Sequence, residues 1–255
     1  MSKDAHQLCL GSLDLGGNPR LVVGYTDDVS SDTIKKSLAL GLDVAELRVD
    51  KYAYSDPIYV LNEISKFRDI PTIATIRSSD EGGDWCGTEA ERLSLFKTII
   101  SHVDAIDIEL LSKEIMLDVI ETAHEAGKLA VVSYHNFKST PSYDDLVELV
   151  NEAKKKGADI VKIACTAISQ SDMQNLARLT IDCSSKNIIT IAMGSKGLVS
   201  RLMFPALGSL MTFAYVGRPT ATGQLRLDET LDLLRLFYPE FNEDKIIHLK
   251  LLENM

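Results

Sequence analysis

Cysteine is scarce in this 255-residue chain, and the four present, Cys9, Cys86, Cys165 and Cys183, form neither a C-x-x-C pair nor a zinc-ligand spacing. That argues against a disulfide framework and a zinc module; reduced thiols of a cytoplasmic protein are expected, with Cys86 and Cys165 as packing residues. Long apolar runs are also missing. None approaches the ~18 residues of a membrane span, and the start, with Asp4 and His6 ahead of Leu8-Cys9-Leu10, lacks a signal-peptide core. Basic charge is short, with 27 Lys and Arg against 37 Asp and Glu. The resulting net charge of −10 argues against a nucleic-acid or anionic-membrane binder, so any anionic ligand must be caught by a local cluster. No G-x-G-x-x-G follows the first apolar segment, which weakens the case for an open dinucleotide-binding sheet. Neither linker, repeat nor low-complexity tract marks a second domain, so residues 1–255 are read as one domain.

What is present is alternation. After a Gly-rich turn (Gly11, Gly16, Gly17, Pro19) that suggests a short N-terminal hairpin, the apolar strand 21–25 leads to a helix capped by Asp32 and stopped by Gly41. Strands are then predicted at about 43–50, 71–77, 105–110, 129–137, 159–166, 188–194 and 211–217. Helical segments lie between them near 58–67, 88–103, 112–126, 142–156, 170–186 and 197–208, and a last helix runs near 229–236. Eight strand–helix units of this kind point to an α/β fold of the (β/α)8 TIM-barrel type, for which ~250 residues is typical.

Two residues stand out on this frame. Lys162 lies inside the apolar run Val161-Lys162-Ile163-Ala164, where an ammonium is costly unless paired or deprotonated. His135 ends the preceding strand 27 residues earlier, about one strand–helix–strand unit, and parallel neighbours lie ~4.8 Å apart. An amine beside an imidazole can form an imine with a ketone and move a proton at the next carbon. Desolvation and a neighbouring cation would keep some Lys162 neutral; the alternative is a lysine snorkelling to the rim. The other histidines, His6, His102, His124 and His248, fall in tails, helices or helix ends.

Glu46, Arg48 and Asp50 share one face of their strand, and inward charges near the C-terminal end of a barrel strand mark the active rim; a structural ion pair is the other reading. Arg77 closes the next strand and precedes Glu81-Gly82-Gly83, whose carboxylate could hold the His135 tautomer if the loop folds back, and is otherwise solvated. Gly194 to Arg201 reads as a Gly-rich turn opening a helix. It could bind phosphate, Arg201 could clamp a carboxylate bidentately, or Arg201 could form a surface ion pair. The loop 217–225 puts Thr220 and Gln224 at the same rim.

Taken together, Glu46-Leu47-Arg48-Val49-Asp50, Arg77 with Glu81-Gly82-Gly83, Ser133-Tyr134-His135, Lys162-Ile163-Ala164, Met193-Gly194 with Ser200-Arg201, and Gly223-Gln224 resemble type I 3-dehydroquinate dehydratase, the Schiff-base enzyme of the shikimate pathway. The resemblance runs in order from about residue 20 to 226. It implies that Lys162 attacks the C3 ketone of 3-dehydroquinate, a small anionic cyclic keto acid, that His135 removes the C2 proton, and that Glu81 orients His135. It assigns Glu46, Arg48 and Arg77 to the ring hydroxyls and Arg201, Thr220 and Gln224 to the carboxylate. Neither metal nor cofactor is implied, and relatives are often dimers, so a homodimer is an expectation. Thr220 stands where better-known members carry serine, Gly24 replaces a small polar residue of some members, and no fused dehydrogenase domain is expected in these residues. Rival readings are a class I aldolase on the same barrel and a non-catalytic barrel that only binds the metabolite.

Overall fold

The computed structural model describes residues 8–219 and 223–241. A two-stranded hairpin, β1 (Cys9–Leu10) and β2 (Leu13–Asp14), opens the chain. Alternating elements follow: β3 (Arg20–Tyr25), α1 (Ser31–Leu40), β4 (Val44–Arg48), α2 (Pro57–Ile64), β5 (Thr72–Thr75), α3 (Glu89–Ile99), β6 (Ala105–Glu109), α4 (Met116–Glu125), β7 (Leu129–Asn136), α5 (Tyr143–Lys155), β8 (Ile160–Thr166), α6 (Gln170–Asp182), β9 (Ile188–Met193), α7 (Ser200–Ala206), β10 (Met211–Tyr215), β11 (Leu225–Arg226) and α8 (Leu227–Phe237). Strands β3 to β11 form one parallel sheet in the order β11-β10-β3-β4-β5-β6-β7-β8-β9. The sheet curls until the segment before β10 meets β9, where the Leu210 N–H donates to the Ile188 carbonyl (2.9 Å) and the Thr190 N–H to Ser209 Oγ (3.0 Å).

Local chemistry sets the helix starts. Thr88 and Glu91 form a reciprocal capping box on α3, Ser169 and Asp172 another on α6, and Asp56 caps α2 ahead of Pro57. Helix α1 is capped by Ser30, whose hydroxyl accepts the Thr33 N–H; Asp32 lies one turn inside, where its charge faces the helix dipole. Several predicted bounds contract for a common reason. Residues 49–51, 100–102, 184–186 and 195–197 are single 3-10 turns that join strands and helices. Asp50 therefore leaves the strand, and α7 begins at Ser200.

The period of two divides each strand between two apolar clusters. Outward residues such as Leu21, Val23, Leu47, Ile106, Val132 and Ile163 pack beneath the helices, each burial contributing about 1.5–3 kcal/mol. Inward residues Val22, Val44, Ile73, Ala105, Val131, Ile160, Ile189 and Met211 form a separate cluster, and Leu10, Leu13 and Leu15 of the hairpin region join it. The hairpin thus stoppers the N-terminal end of the curled sheet. Beyond that apolar floor the inward positions change character, to Glu46, Thr75, Asp107, Ser133 and Lys162.

Candidate active site

One cavity of about 550 Å³ opens at the C-terminal ends of the strands, lined among others by Glu46, Arg48, Arg77, Glu81, His135, Lys162, Arg201 and Gln224. The structure thus gathers these eight candidates around one space; Asp50, read as a third inward charge of its strand, does not line it but turns away to grip Arg48, and Thr220 lies outside the described residues. Ala164, Ile191, Met193, Phe137 and Phe213 give it an apolar wall.

Lys162 and His135 reach this space from adjacent strands. Ser133 is the register partner of Lys162 and Ala164 that of His135, so the imidazole stands one inward step nearer the mouth than the amine. Lys162 is 5% exposed, and its Nζ touches Asp107 Oδ2 (2.9 Å) and Glu46 Oε1 (3.2 Å), with the Phe213 ring centroid at 4.7 Å. The polar atoms in contact with the amine nitrogen belong to carboxylates, and the cations Arg48 and Arg77 line the same cavity without touching it.

Asp107 also accepts from Ser133 Oγ (2.6 Å) and pairs with Arg77 Nη2 (2.8 Å). Burial pushes its carboxyl up, but Arg77 and Lys162 outweigh that and hold it far below the usual carboxylate range. Arg77 uses Nη1 as well, donating to Glu109 (2.8 Å) and Ser133 Oγ (2.7 Å). Burial opposes its charge, and Asp107, Glu109 and Glu46 more than offset the opposition. Arg77 faces the cavity, but these bonds make it first a clamp on β6 and β7.

Glu81 sits on the 3-10 turn 79–81, and its loop does fold back onto β7. Its Oε2 accepts the His135 backbone N–H (2.8 Å) and stands 2.9 Å from Nδ1. When Glu81 is ionised, Oε2 accepts from Nδ1, which then carries the imidazole proton and leaves Nε2 with its lone pair. Burial, then the Arg77 and Lys162 cations, push His135 well below its ordinary 6.5; burial pushes Glu81 up to about 8. The pair is therefore a hydrogen bond to a neutral imidazole rather than a salt bridge. Two glycines make this fold-back possible. Gly82 has φ +76°, and a Cβ there would lie 2.6 Å from the Phe137 ring; one on Gly83 would lie 2.0 Å from the Arg77 carbonyl oxygen. Phe137 in turn stacks beside His135, with centroids 6.3 Å apart and planes 14° off parallel.

The opposite wall offers a cation that, among the described residues, has no carboxylate partner. Arg201 is 3% exposed and donates only to carbonyls, from Nε to Gly223 (2.6 Å) and from Nη1 to Phe213 (3.1 Å). Burial alone draws it down to about 10. Arg48, by contrast, is held bidentately by Asp50 through Nε (2.9 Å) and Nη2 (2.7 Å), and Asp50 also accepts the Asp84 N–H (3.2 Å), which ties down the loop that carries Glu81. Among the described residues no group of three or more His, Cys, Asp and Glu could share a metal ion, and no helix is long and apolar enough to cross a membrane. Cys165 is buried as expected, whereas Cys86 is exposed and not a packing residue.

Sequence reasoning missed Asp107, Glu109 and Phe213. The first two carried a readable signal, since the strand Ala-Ile-Asp-Ile-Glu alternates as Glu46 and Arg48 do, with both acids inward. Nothing in the sequence marks Phe213 as the ring that Lys162 lies against.

Comparison with known proteins gives one answer. The type I 3-dehydroquinase family model matches residues 21–240. A 3-dehydroquinate dehydratase of Methanocella arvoryzae is 40% identical over 220 residues, covering 86% of this chain and 96% of its own. The crystal structure of a 3-dehydroquinate dehydratase from Geobacillus kaustophilus superposes with a TM-score of 0.83 at 28% identity, covering 91% of this chain and 96% of that one. A type I enzyme from Clostridium difficile, solved with covalently modified comenic acid, gives 0.82 at 28% identity over 92% and 98%. The chain belongs to the type I 3-dehydroquinase family.

Proposed function

We propose that this chain dehydrates 3-dehydroquinate to 3-dehydroshikimate through an imine on Lys162, in a single eight-stranded barrel closed between β9 and β10. Closure is supported by the Leu210–Ile188 and Thr190–Ser209 hydrogen bonds. The reaction rests chiefly on one observation: the amine, a neutral imidazole and a cation without a carboxylate partner line the same small cavity.

The ring carboxylate is taken by Arg201 and Gln224, which line the cavity together, with Thr220 assigned to it by the sequence resemblance alone. That sets the C3 ketone toward Lys162. The ammonium passes a proton to an adjacent base, and the amine adds to C3; loss of water gives a cationic imine. Asp107 and Glu46, already placed against the ammonium, stabilise that cation with no change in local charge. His135 removes the acidified C2 proton through Nε2, with Glu81 fixing its tautomer. The enamine then expels the C1 hydroxyl, which leaves as water with the proton His135 returns. Hydrolysis of the imine frees the enone acid and Lys162. Arg48, held by Asp50, meets the ring hydroxyls.

Borohydride added with 3-dehydroquinate tests the chemistry. A stable adduct on Lys162, absent in Lys162→Ala, is expected; an adduct on Lys196 overturns the assignment. Growth of conjugated-enone absorbance separates dehydration from aldol cleavage, and binding without turnover would sink the enzyme reading altogether.

A further inference from the structure

Helix α3 carries a buried arginine that the scheme above does not use. Arg92 is 0% exposed yet does not line the cavity. Its Nη2 donates to Glu109 Oε2 and reaches Ser112 Oγ (3.4 Å), and Nη1 donates to Glu89 (3.1 Å). Glu109 also accepts from Arg77 Nη1 (2.8 Å), Ser112 Oγ (2.7 Å) and the Ser78 N–H (3.2 Å). Arg77 pairs with Asp107, and Asp107 and Glu46 with Lys162. An unbroken row of alternating charge thus runs from α3 to the nucleophile: Arg92, Glu109, Arg77, Asp107, Lys162, Glu46.

Three cations face three carboxylates, and at such low exposure the charges are weakly screened by solvent. Arg92 Nε is buried with no partner, a penalty of about 1–3 kcal/mol. A neutral side chain of similar length would fill the space without that penalty, so the charge is what the position supplies. Remove it, and Glu109 is balanced only by Arg77, which must also serve Asp107.

We propose that Arg92 is a positioning residue that acts through Glu109 and Arg77 to fix the charge balance around His135. This rests on the dehydratase reading for its catalytic meaning, though not for its electrostatics. The groups acting on His135 come from several elements: Arg48 on β4, Arg77 just past β5, Glu81 on the turn after it, Asp107 on β6 and Lys162 on β8. Loss of the Arg92 charge leaves a net negative increment behind Arg77 and makes the imidazole easier to protonate.

The experiment follows His135 in four variants, by the pH dependence of kcat/KM and by its imidazole ¹³C chemical shift, which needs no turnover. R92M should move the acid limb and the titration up by roughly half a pH unit. E109Q, which removes the opposite charge, should move both down. R92M/E109Q should return near the parent, and R92K should restore the limb that R92M displaces. If R92M does not fold, the direction of the E109Q shift decides alone. A His135 titration that stays in place in every folded single variant overturns the proposal and leaves Arg92 an anchor between α3 and β6. A titration that shifts as described in a protein that does not dehydrate 3-dehydroquinate overturns the reaction instead, and the electrostatic link stands.

Discussion

Replacing Arg201 by methionine separates a ligand-binding cation from a structural one. Burial draws this guanidinium from 12.5 to about 10, which corresponds to about 3 kcal/mol of unfavourable charging in the free protein. The folded value is depressed, so the penalty is constant through neutral pH and is relieved only above about 10. Against it stand two hydrogen bonds to the Gly223 and Phe213 carbonyls, worth about 1.5 kcal/mol each. The two sums cancel. R201M should therefore leave the thermal midpoint of the free protein within about 3 °C, since 1 kcal/mol corresponds to about 2–4 °C at this size. Binding should suffer, because a carboxylate is what would settle the buried charge. Loss of a desolvated charge-assisted pair of about 3–4 kcal/mol lowers kcat/KM by about 10²–10³ and abolishes the midpoint increase produced by a saturating cyclic carboxylate product. Differential scanning fluorimetry with and without product, beside steady-state kinetics, reads both. A fall of 10 °C or more in the free protein with unaltered product stabilisation would refute the reasoning and make Arg201 a structural residue.

Three further outcomes are expected. Because His135 is held well below 6.5, the limb of kcat/KM that reports its protonation should lie on the acid side of 6.5; by the same sign, folding stability from this group is complete above 6.5 and lost below it, a slope that His135→Asn should remove in denaturant titrations at stepped pH. Asp107→Asn turns an acceptor of Lys162, Arg77 and Ser133 into a group with donors facing donors, and should destabilise the fold by about 3–5 kcal/mol, seen as a midpoint lower by the order of 10 °C. Gly82→Ala forces φ +76° on a residue with a Cβ and drives that atom into Phe137, so it should cost about 1–3 kcal/mol and lower kcat more than it changes KM; unaltered kinetics would show that the Phe137 stack does not matter to His135.

The strands and helices were legible because their signals are local. Period-two alternation marked β4, an apolar run marked β8, and Gly41 marked the end of α1, although the cap at its start is Ser30 rather than Asp32. The short turns at 49–51 and 195–197 were not, since their residues suit a strand end or a helix start equally well. At the site, Lys162 and His135 were readable because each is chemically out of place in an apolar strand end. Glu81 was readable as a partner of His135, but the pairing of Lys162 with two carboxylates was not. Asp107 and Glu46 meet Lys162 across 55 and 116 residues of chain, and only the curl of the sheet brings them there. Asp50 shows the reverse: the strand pattern counted it as a third inward charge, but the chain turns after Arg48 and lets it grip that arginine instead.

The stopper made by Leu10, Leu13 and Leu15 has a kinetic corollary. Among the described residues the base of the well is closed by this stopper, so substrate, the expelled water and the enone acid share the mouth beside Phe137. Departure of product and arrival of the next molecule cannot overlap, and in such a geometry the clearing of the doorway belongs to every turnover.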